Sequence, residues 1–190
     1  MRRVVVAITG ASGAAIGVRV VERLAATAIE VHLVLSEAAH RTLIHEVGPT
    51  ASQHLQDLVT QVHPIDDIGA SIASGSFASA GMIVAPCSMH TLAAIANGLA
   101  DNLIVRAADV HLKERRPLVL MARETPLHLG HLRNMVAVTE MGGIVMPPVP
   151  AFYNHPASIN VVVDHLAAKA IDLLRLWTGL LAPEWSGTER

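Results

Sequence analysis

A short charged segment offers the clearest chemistry in this sequence. Arg106, Asp109 and Lys113 follow one another at spacings of three and four residues, which places them on one face of a helix. Two cations on one face can bind a small anion together. The same spacing is also typical of a solvated helix in which Asp109 pairs with both cations. Spacing alone leaves both interpretations open.

Composition favours a specific role for the lysines. Only Lys113 and Lys169 occur, against twelve arginines, so lysine does not supply the general surface charge. The formal net charge of -2 and the pI near 6.6 provide no basic stripe for nucleic acid. We therefore expect a small anionic ligand and no nucleic-acid partner.

Length and composition predict one domain that assembles with copies of itself. A chain of 190 residues can bury one sizeable core. Hydrophobic residues make up 52% and charged residues 16%, which leaves an apolar exterior for a partner to cover. The single cysteine, Cys87, excludes an intramolecular disulfide, and we interpret it as a small core residue rather than a nucleophile. The histidines are dispersed, so no metal site is predicted.

A stretch without charged residues, 68–100, could suggest a membrane segment. Four glycines and Pro86 interrupt it, so it offers no continuous apolar span of about 20 residues. The apolar run after the N-terminal arginines is too short for a signal peptide. We therefore expect a cytoplasmic protein without a membrane partner.

The elements that would position these groups alternate between strands and helices. Strands are predicted at 3–9, 30–35, 61–65, 81–85, 117–122 and 144–146. Helices are predicted at 14–26, 37–46, 53–58, 91–97, around the charged segment, at 126–141, and from a cap at Asn160 to about Thr178. This order predicts a single α/β domain over 1–178, with a mainly parallel sheet between helices in a three-layer, Rossmann-like arrangement, and a tail over 179–190.

The first strand ends in a loop of small residues, Gly10-Ala11-Ser12-Gly13, followed by a helix. Such a loop can bind a phosphate through backbone N–H groups. Ser12 stands where a dinucleotide fingerprint requires glycine, so nicotinamide chemistry is not favoured. Ser36 and the pair Arg123-Glu124 also follow predicted strands, at the edge where open parallel sheets bind ligands.

Several motifs, in this order, resemble those of the UbiX-type flavin prenyltransferases. They are Thr9-Gly10-Ala11-Ser12-Gly13, Ser74-Gly75-Ser76, Ala85-Pro86-Cys87-Ser88-Met89, Arg106-Ala107-Ala108-Asp109-Val110, Lys113-Glu114-Arg115-Arg116, Arg123-Glu124-Thr125-Pro126 and Pro150-Ala151-Phe152-Tyr153. The resemblance implies a flavoprotein that joins the dimethylallyl group of dimethylallyl monophosphate to N5 and C6 of reduced FMN. The product, prenylated FMN, would serve a UbiD-type decarboxylase. The resemblance also implies a homo-oligomer, a dodecamer, whose site is shared between neighbours.

The resemblance assigns roles to individual residues. It implies FMN binding by Gly10, Ala11, Ser12, Ser36, Ser88, Met89, His90, Thr91 and Arg123. It implies binding of the prenyl phosphate by Arg106, Lys113, Tyr153 and Lys169, proton transfer by Ser12, Glu46 and Glu124, and a pocket cover from Trp185. Lys169 stands where some members have arginine, which keeps the charge without the bidentate fork.

Two other functions remain open at this stage. A flavin-dependent cysteine decarboxylase shares part of the pattern around Pro86-Cys87-Ser88, but its Pro-x-Met-Asn-x-x-Met-Trp segment is missing here. A non-catalytic carrier of prenylated FMN would need the same flavin site. The sequence also lacks the Asp-rich motif with which prenyl diphosphate enzymes hold Mg²⁺, so we expect a metal-independent reaction in which Arg and Lys take the phosphate charge.

Overall fold

A computed structural model describes residues 2–184 and 187 of the chain. Over these residues it contains six strands: β1 (Arg2–Ile8), β2 (Ile29–Leu35), β3 (Gln61–His63), β4 (Gly81–Cys87), β5 (Leu118–Ala122) and β6 (Ile144–Val145). The helices in the same part of the chain are α1 (Ala14–Ala25), α2 (Glu37–Glu46), α3 (Ala51–Leu58), α4 (Met89–Ala96), α5 (Leu103–Lys113), α6 (Leu129–Glu140) and α7 (Ile159–Asp172). Short 3₁₀ turns lie at Ser71–Ala73 and Phe152–Asn154.

The strands form one parallel sheet in the order β3-β2-β1-β4-β5-β6. Alternate residues of each strand face opposite sides, so Val4 and Val6 pack with α1 and α7, whereas Val5 and Ala7 pack with α4 and α5. Both faces are therefore buried, as continuous Val/Ile runs require. The predicted three-layer α/β fold with a parallel sheet is confirmed.

The order of the strands reverses between β1 and β4, and this switch point is where an open α/β sheet leaves a crevice for ligands. Gly17 allows α1 to lie close to the sheet there, because a Cβ at this position would overlap the carbonyl oxygen of Ala85. The crevice lies at the carboxyl ends of the strands, between the loops that follow β1 and β4.

The two predicted helices in the last third of the chain have different boundaries in the structure. The helix expected from Pro126 begins at Leu129, because the side chain of His128 accepts hydrogen bonds from the first N–H groups and fixes the start. The last helix is capped by Ser158 rather than Asn160, and it ends at Asp172 rather than near Thr178. At both starts, the cap is a polar side chain two residues from the predicted position, and propensity alone does not distinguish the two positions.

Helix α6 has an unusual surface for a single chain. Val138 is its one buried residue, whereas Leu129, Leu132 and Val136 are 59%, 45% and 56% exposed. An apolar helix face of this kind is typical of an interface between proteins. No helix in the described part of the chain has the length and apolar character needed to cross a membrane.

Candidate active site

The loop after β1 is held tightly against α2. A Cβ at Gly10 would overlap the Cβ of Ala38, so only glycine allows this approach. Thr42 of α2 donates a hydrogen bond to the carbonyl oxygen of Gly10 at 3.2 Å. This packing places Glu46, the last residue of α2, at the N-terminus of α1.

Glu46 binds the loop directly. Its carboxylate accepts hydrogen bonds from the N–H groups of Gly13 and Ala14, both at 2.8 Å. Burial opposes ionisation of Glu46, but the donors that reach the carboxylate (Ser12 among them) and the positive charge of Arg123 outweigh it, so the pKa of Glu46 lies below its usual range. Glu46 is therefore an ionised carboxylate that accepts a hydrogen bond from the Ser12 hydroxyl.

This arrangement modifies the predicted phosphate cradle. The N-terminus of a helix attracts anions, and here the carboxylate of Glu46 already occupies the N–H groups of Gly13 and Ala14. An incoming phosphate would meet the preceding part of the loop together with the Ser36 hydroxyl and the Arg123 guanidinium. Ser36 caps α2, and its N–H donates to the carbonyl oxygen of Ile8 at 3.1 Å, so it lies beside the end of β1.

The second wall of the crevice is the loop between β4 and α4. Ser88 caps α4 by accepting from the N–H of Thr91, and its hydroxyl donates to the Thr91 hydroxyl at 3.1 Å. Met89 is half-buried and His90 is exposed in the first turn of the helix. The N–H of Arg123 donates to the carbonyl oxygen of Cys87 at 3.1 Å, which fixes the end of β5 next to this wall.

The exposed pair Arg123-Glu124 lies at the same edge of the sheet. Arg123 is close enough to Glu46 to influence its ionisation. The carboxylate of Glu124 accepts a hydrogen bond from the N–H of Thr125 at 2.9 Å. The chain thus brings Ser12, Glu46 and Arg123 together, with Glu124 adjacent in sequence.

Lys113 of the charged helix lies away from this cluster. Helix α5 begins near the carboxyl edge of the sheet, where the N–H of Leu103 donates to the carbonyl oxygen of Ile65. It runs antiparallel to the strands for 11 residues, about 16 Å, and ends at Lys113 near the amino edge. Lys113 therefore cannot reach the crevice of its own chain.

The charges on α5 are paired locally. Arg106 donates to the carboxylate of Asp109 at 2.7 Å, as the solvated-helix interpretation predicts. Lys113 instead contacts Glu114, and both side chains are well exposed to solvent. Exposed ion pairs of this kind contribute little to stability, so both cations can exchange partners when an anion arrives.

Tyr153 and Lys169 lie in a third place. They line one cavity of about 310 Å³, together with Pro150 and His165. The cavity lies between α7 and the loop that carries the Phe152–Asn154 turn. A tyrosine hydroxyl and a lysine ammonium group in one cavity suit an anion. Trp185, the predicted cover of the pocket, falls outside the described residues.

Sequence reasoning missed the role of Arg116. Its guanidinium donates to the carbonyl oxygens of Gly75 and Phe77, both at 2.6 Å, and so fixes this segment against the end of α5. A Cβ at Gly75 would lie 2.7 Å from the Lys113 ammonium nitrogen and would overlap the carboxylate of Glu114. Gly75 of the Ser74-Gly75-Ser76 motif thus lies next to the side-chain ends of Lys113 and Glu114. The signal in the sequence was the arginine pair directly after the charged helix.

Buried histidines serve packing rather than metal binding. His32 and His63 hydrogen-bond to each other at 2.9 Å, and His111 bonds to Ser79 and to the carbonyl oxygen of Ala107. Burial lowers the pKa of all three. Within residues 2–184 and 187, no group of three or more His, Cys, Asp or Glu side chains could hold a metal ion.

Cys87 should resist alkylation in the folded protein. Burial raises the pKa of its thiol to about 12 from a reference of 9.0, so the reactive thiolate is about a thousandfold less populated. We expect no labelling by a maleimide within an hour at pH 8, and complete labelling in guanidinium chloride, as measured by mass spectrometry. Rapid labelling of the native protein would instead identify an accessible, activated thiol.

A parallel sheet with small-residue loops, hydroxyls and a cation at its switch point defines an α/β protein that binds a phosphorylated cofactor. Comparison with known proteins makes the class specific: a family model described as Flavoprotein matches residues 1–174. The Flavin prenyltransferase UbiX of Thauera aromatica is 51% identical over 187 residues, which cover 98% of this chain and 95% of that protein. The chain belongs to the flavin prenyltransferase family.

Solved structures agree with this assignment. AnUbiX (PadA1), determined in complex with FMN and dimethylallyl pyrophosphate, is 49% identical, with a TM-score of 0.93 and 99% of both chains covered. A dodecameric FMN-dependent UbiX-like decarboxylase from Escherichia coli O157:H7 is 45% identical, with a TM-score of 0.92, and the match covers 97% of this chain and all of that one. The cysteine decarboxylase TvaF shares only the fold, at 17% identity and a TM-score of 0.66.

Proposed function

We propose that this chain joins the dimethylallyl group of dimethylallyl monophosphate to N5 and C6 of reduced FMN. The observation that carries the proposal is the cluster of Ser12, Glu46 and Arg123 at the switch point, in a chain about half identical to flavin prenyltransferases along nearly its full length. The reduced flavin supplies the nucleophilic ring atoms. The residues of the chain supply orientation, charge and proton transfer.

The residues at the crevice suit FMN. The Ser36 hydroxyl and the Arg123 guanidinium can bind its phosphate, and the Ser88 hydroxyl, Met89 and Thr91 can line its ring. Ser12 and Glu46 form a route for protons, because an ionised carboxylate that accepts from a hydroxyl can take a proton through it. Glu124, exposed at the same edge, is a second candidate for this role.

The prenyl phosphate would be bound by Arg106 and Lys113 together with Tyr153 and Lys169. One chain places these pairs apart, the first on α5 and the second beside α7. A complete site therefore needs a second copy of the chain that brings its α5 to the crevice. We propose a homo-oligomer, with a dodecamer as the expected form, in which neighbours share each site.

We expect the monophosphate to be the donor and no metal ion to be required. The cations can take the charge that develops on the phosphate as the allyl C–O bond breaks. Turnover with the monophosphate and with the pyrophosphate, each with and without Mg²⁺, tests this choice. A strict need for pyrophosphate and Mg²⁺ would contradict it.

Purified protein should contain or bind FMN in preference to FAD. The crevice offers one set of phosphate-binding groups and lacks a dinucleotide fingerprint. Fluorescence titration with both flavins measures the two dissociation constants, and tighter binding of FAD would count against the assignment. Incubation of the complex with reductant and dimethylallyl monophosphate, followed by mass spectrometry, then distinguishes an enzyme from a carrier, because a carrier would bind prenylated FMN without forming it.

The product would be delivered to a UbiD-type decarboxylase, and a cytoplasmic location remains our prediction. The delivery to a decarboxylase follows from the family rather than from any contact in the chain. Restoration of activity to a separately purified apo-decarboxylase by the reaction product is the direct test of the first.

A further inference from the structure

Thr9 is the polar exception at the end of an apolar strand. It follows Ile8, the last residue of β1, and is 1% exposed. Valine has nearly the same shape and would suit this buried position at least as well. A hydroxyl group here therefore needs a polar explanation.

The hydroxyl of Thr9 joins the two walls of the crevice. It donates to the carbonyl oxygen of Pro86 at 2.7 Å and accepts from the N–H of Ser88 at 2.8 Å. The backbone N–H of Thr9 donates to the same carbonyl oxygen at 3.2 Å. One buried residue thus connects the start of the Gly10 loop to the turn that leads into α4.

The connection continues to groups that would contact the flavin. Ser88 caps α4, and its hydroxyl donates to Thr91. Without the Thr9 hydroxyl, the N–H of Ser88 would lose its acceptor, and the turn would have to shift to find another. Such a shift moves Ser88 and Thr91 relative to the Gly10 loop and so changes the width of the crevice.

The geometry points to Thr9 as a positioning residue that sets the distance between the two walls of the flavin site without touching the flavin. This inference rests on the proposed function, because it assumes that FMN lies between these two walls. It assigns to Thr9 a role in flavin affinity that is separate from its contribution to the stability of the sheet.

The test compares Thr9→Val with Thr9→Ser in the full-length protein. We expect Thr9→Val to weaken FMN binding by about tenfold, because the half-buried N–H of Ser88 loses its acceptor, and Thr9→Ser to stay within about threefold of wild type. Fluorescence titration at 20 °C measures the dissociation constants. The absorption spectrum of bound FMN, which is sensitive to the surroundings of the ring, should change for Thr9→Val and not for Thr9→Ser.

Thr60→Val provides the matched control. The Thr60 hydroxyl also accepts from a backbone N–H, that of Val31 at 3.1 Å, but at the amino edge of the sheet. This variant should lower the melting temperature without altering the FMN dissociation constant or the spectrum. Circular dichroism confirms that each apo-protein is folded at the temperature of the titration.

The outcomes separate the inference from the function on which it rests. Wild-type affinity in Thr9→Val, or an equal loss in Thr9→Ser, would overturn the inference while leaving the proposed function intact. Failure of wild-type protein to bind FMN would overturn both. If Thr9→Val does not fold, Thr9→Cys replaces it, because sulfur is a weak donor and acceptor. Weaker FMN binding by Thr9→Cys than by Thr9→Ser supports the inference, and equal binding overturns it.

Discussion

Lys113→Met should slow prenyl transfer by about a hundredfold while leaving FMN affinity nearly unchanged. Negative charge accumulates on the phosphate as the allyl C–O bond breaks, and removal of one preorganised donor typically costs about 3 kcal/mol in the transition state. Single-turnover rates with saturating dimethylallyl monophosphate measure the effect, and excess EDTA should not change the wild-type rate. Arg115→Met, which removes a neighbouring exposed cation, is the control.

The position of Lys113 allows a second experiment, in which two variants are mixed in one oligomer. Because Lys113 lies at the opposite edge of the sheet from the crevice of its own chain, the proposed role requires it to act on the site of a neighbour. Equal amounts of Lys113→Met and Glu46→Gln subunits, dissociated and reassembled together, should regain about a quarter of wild-type activity. With random mixing, about a quarter of the sites combine a crevice that keeps Glu46 with a neighbouring α5 that keeps Lys113. No recovery in verified mixed oligomers, or a Lys113→Met variant that chiefly loses FMN, would contradict the shared site.

Glu46→Gln should reduce the rate by at least about a hundredfold, because the amide cannot accept a proton through Ser12. It should also lower the free energy of unfolding by about 1 kcal/mol, since the amide oxygen can still accept from both N–H groups, but hydrogen bonds to a charged acceptor are stronger. Single-turnover kinetics and urea unfolding measure the two effects. Glu37→Gln, the same change at the start of α2, should alter neither by a comparable amount.

The stability effect should depend on pH with a defined sign. The pKa of Glu46 is lower in the folded protein than in the unfolded chain, where it is about 4.3. Ionised Glu46 therefore stabilises the folded protein at pH values above this unfolded-state pKa. That contribution is lost as the pH falls through the lower, folded value. The difference in unfolding free energy between wild type and Glu46→Gln should therefore have its largest value at pH 7 and become smaller below about pH 4. A difference that grows on acidification would show that Glu46 is protonated in the native state.

The sequence predicts the fold well because its strands carry strong local signals. The Val/Ile run of β1 and the small-residue loop after it leave little choice of structure, and both appear where expected. Helix ends were harder to place, because His128 and Ser158 act as caps where other polar residues stood nearby. A cap depends on side-chain geometry that spacing does not encode.

The candidate site, like the fold, was predictable from the sequence only in part. Motifs predicted the residues near the crevice, but not that Glu46 would occupy the N-terminus of α1, because this contact joins residues more than thirty positions apart. The spacing of Arg106 and Lys113 gave a common helix face correctly. It could not reveal that Lys113 would lie at the opposite edge of the sheet from the crevice of the same chain, since that depends on the direction of α5 against the sheet.

The exposed apolar face of α6 would link folding to assembly in the proposed oligomer. A helix of 12 residues is marginally stable alone, and α6 buries one side chain, Val138, within its own chain. In the proposed oligomer, a second copy that covers Leu129, Leu132 and Val136 would therefore stabilise this helix. The melting temperature should then rise with protein concentration, and the amide protons of α6 should exchange with solvent at a rate set by subunit dissociation.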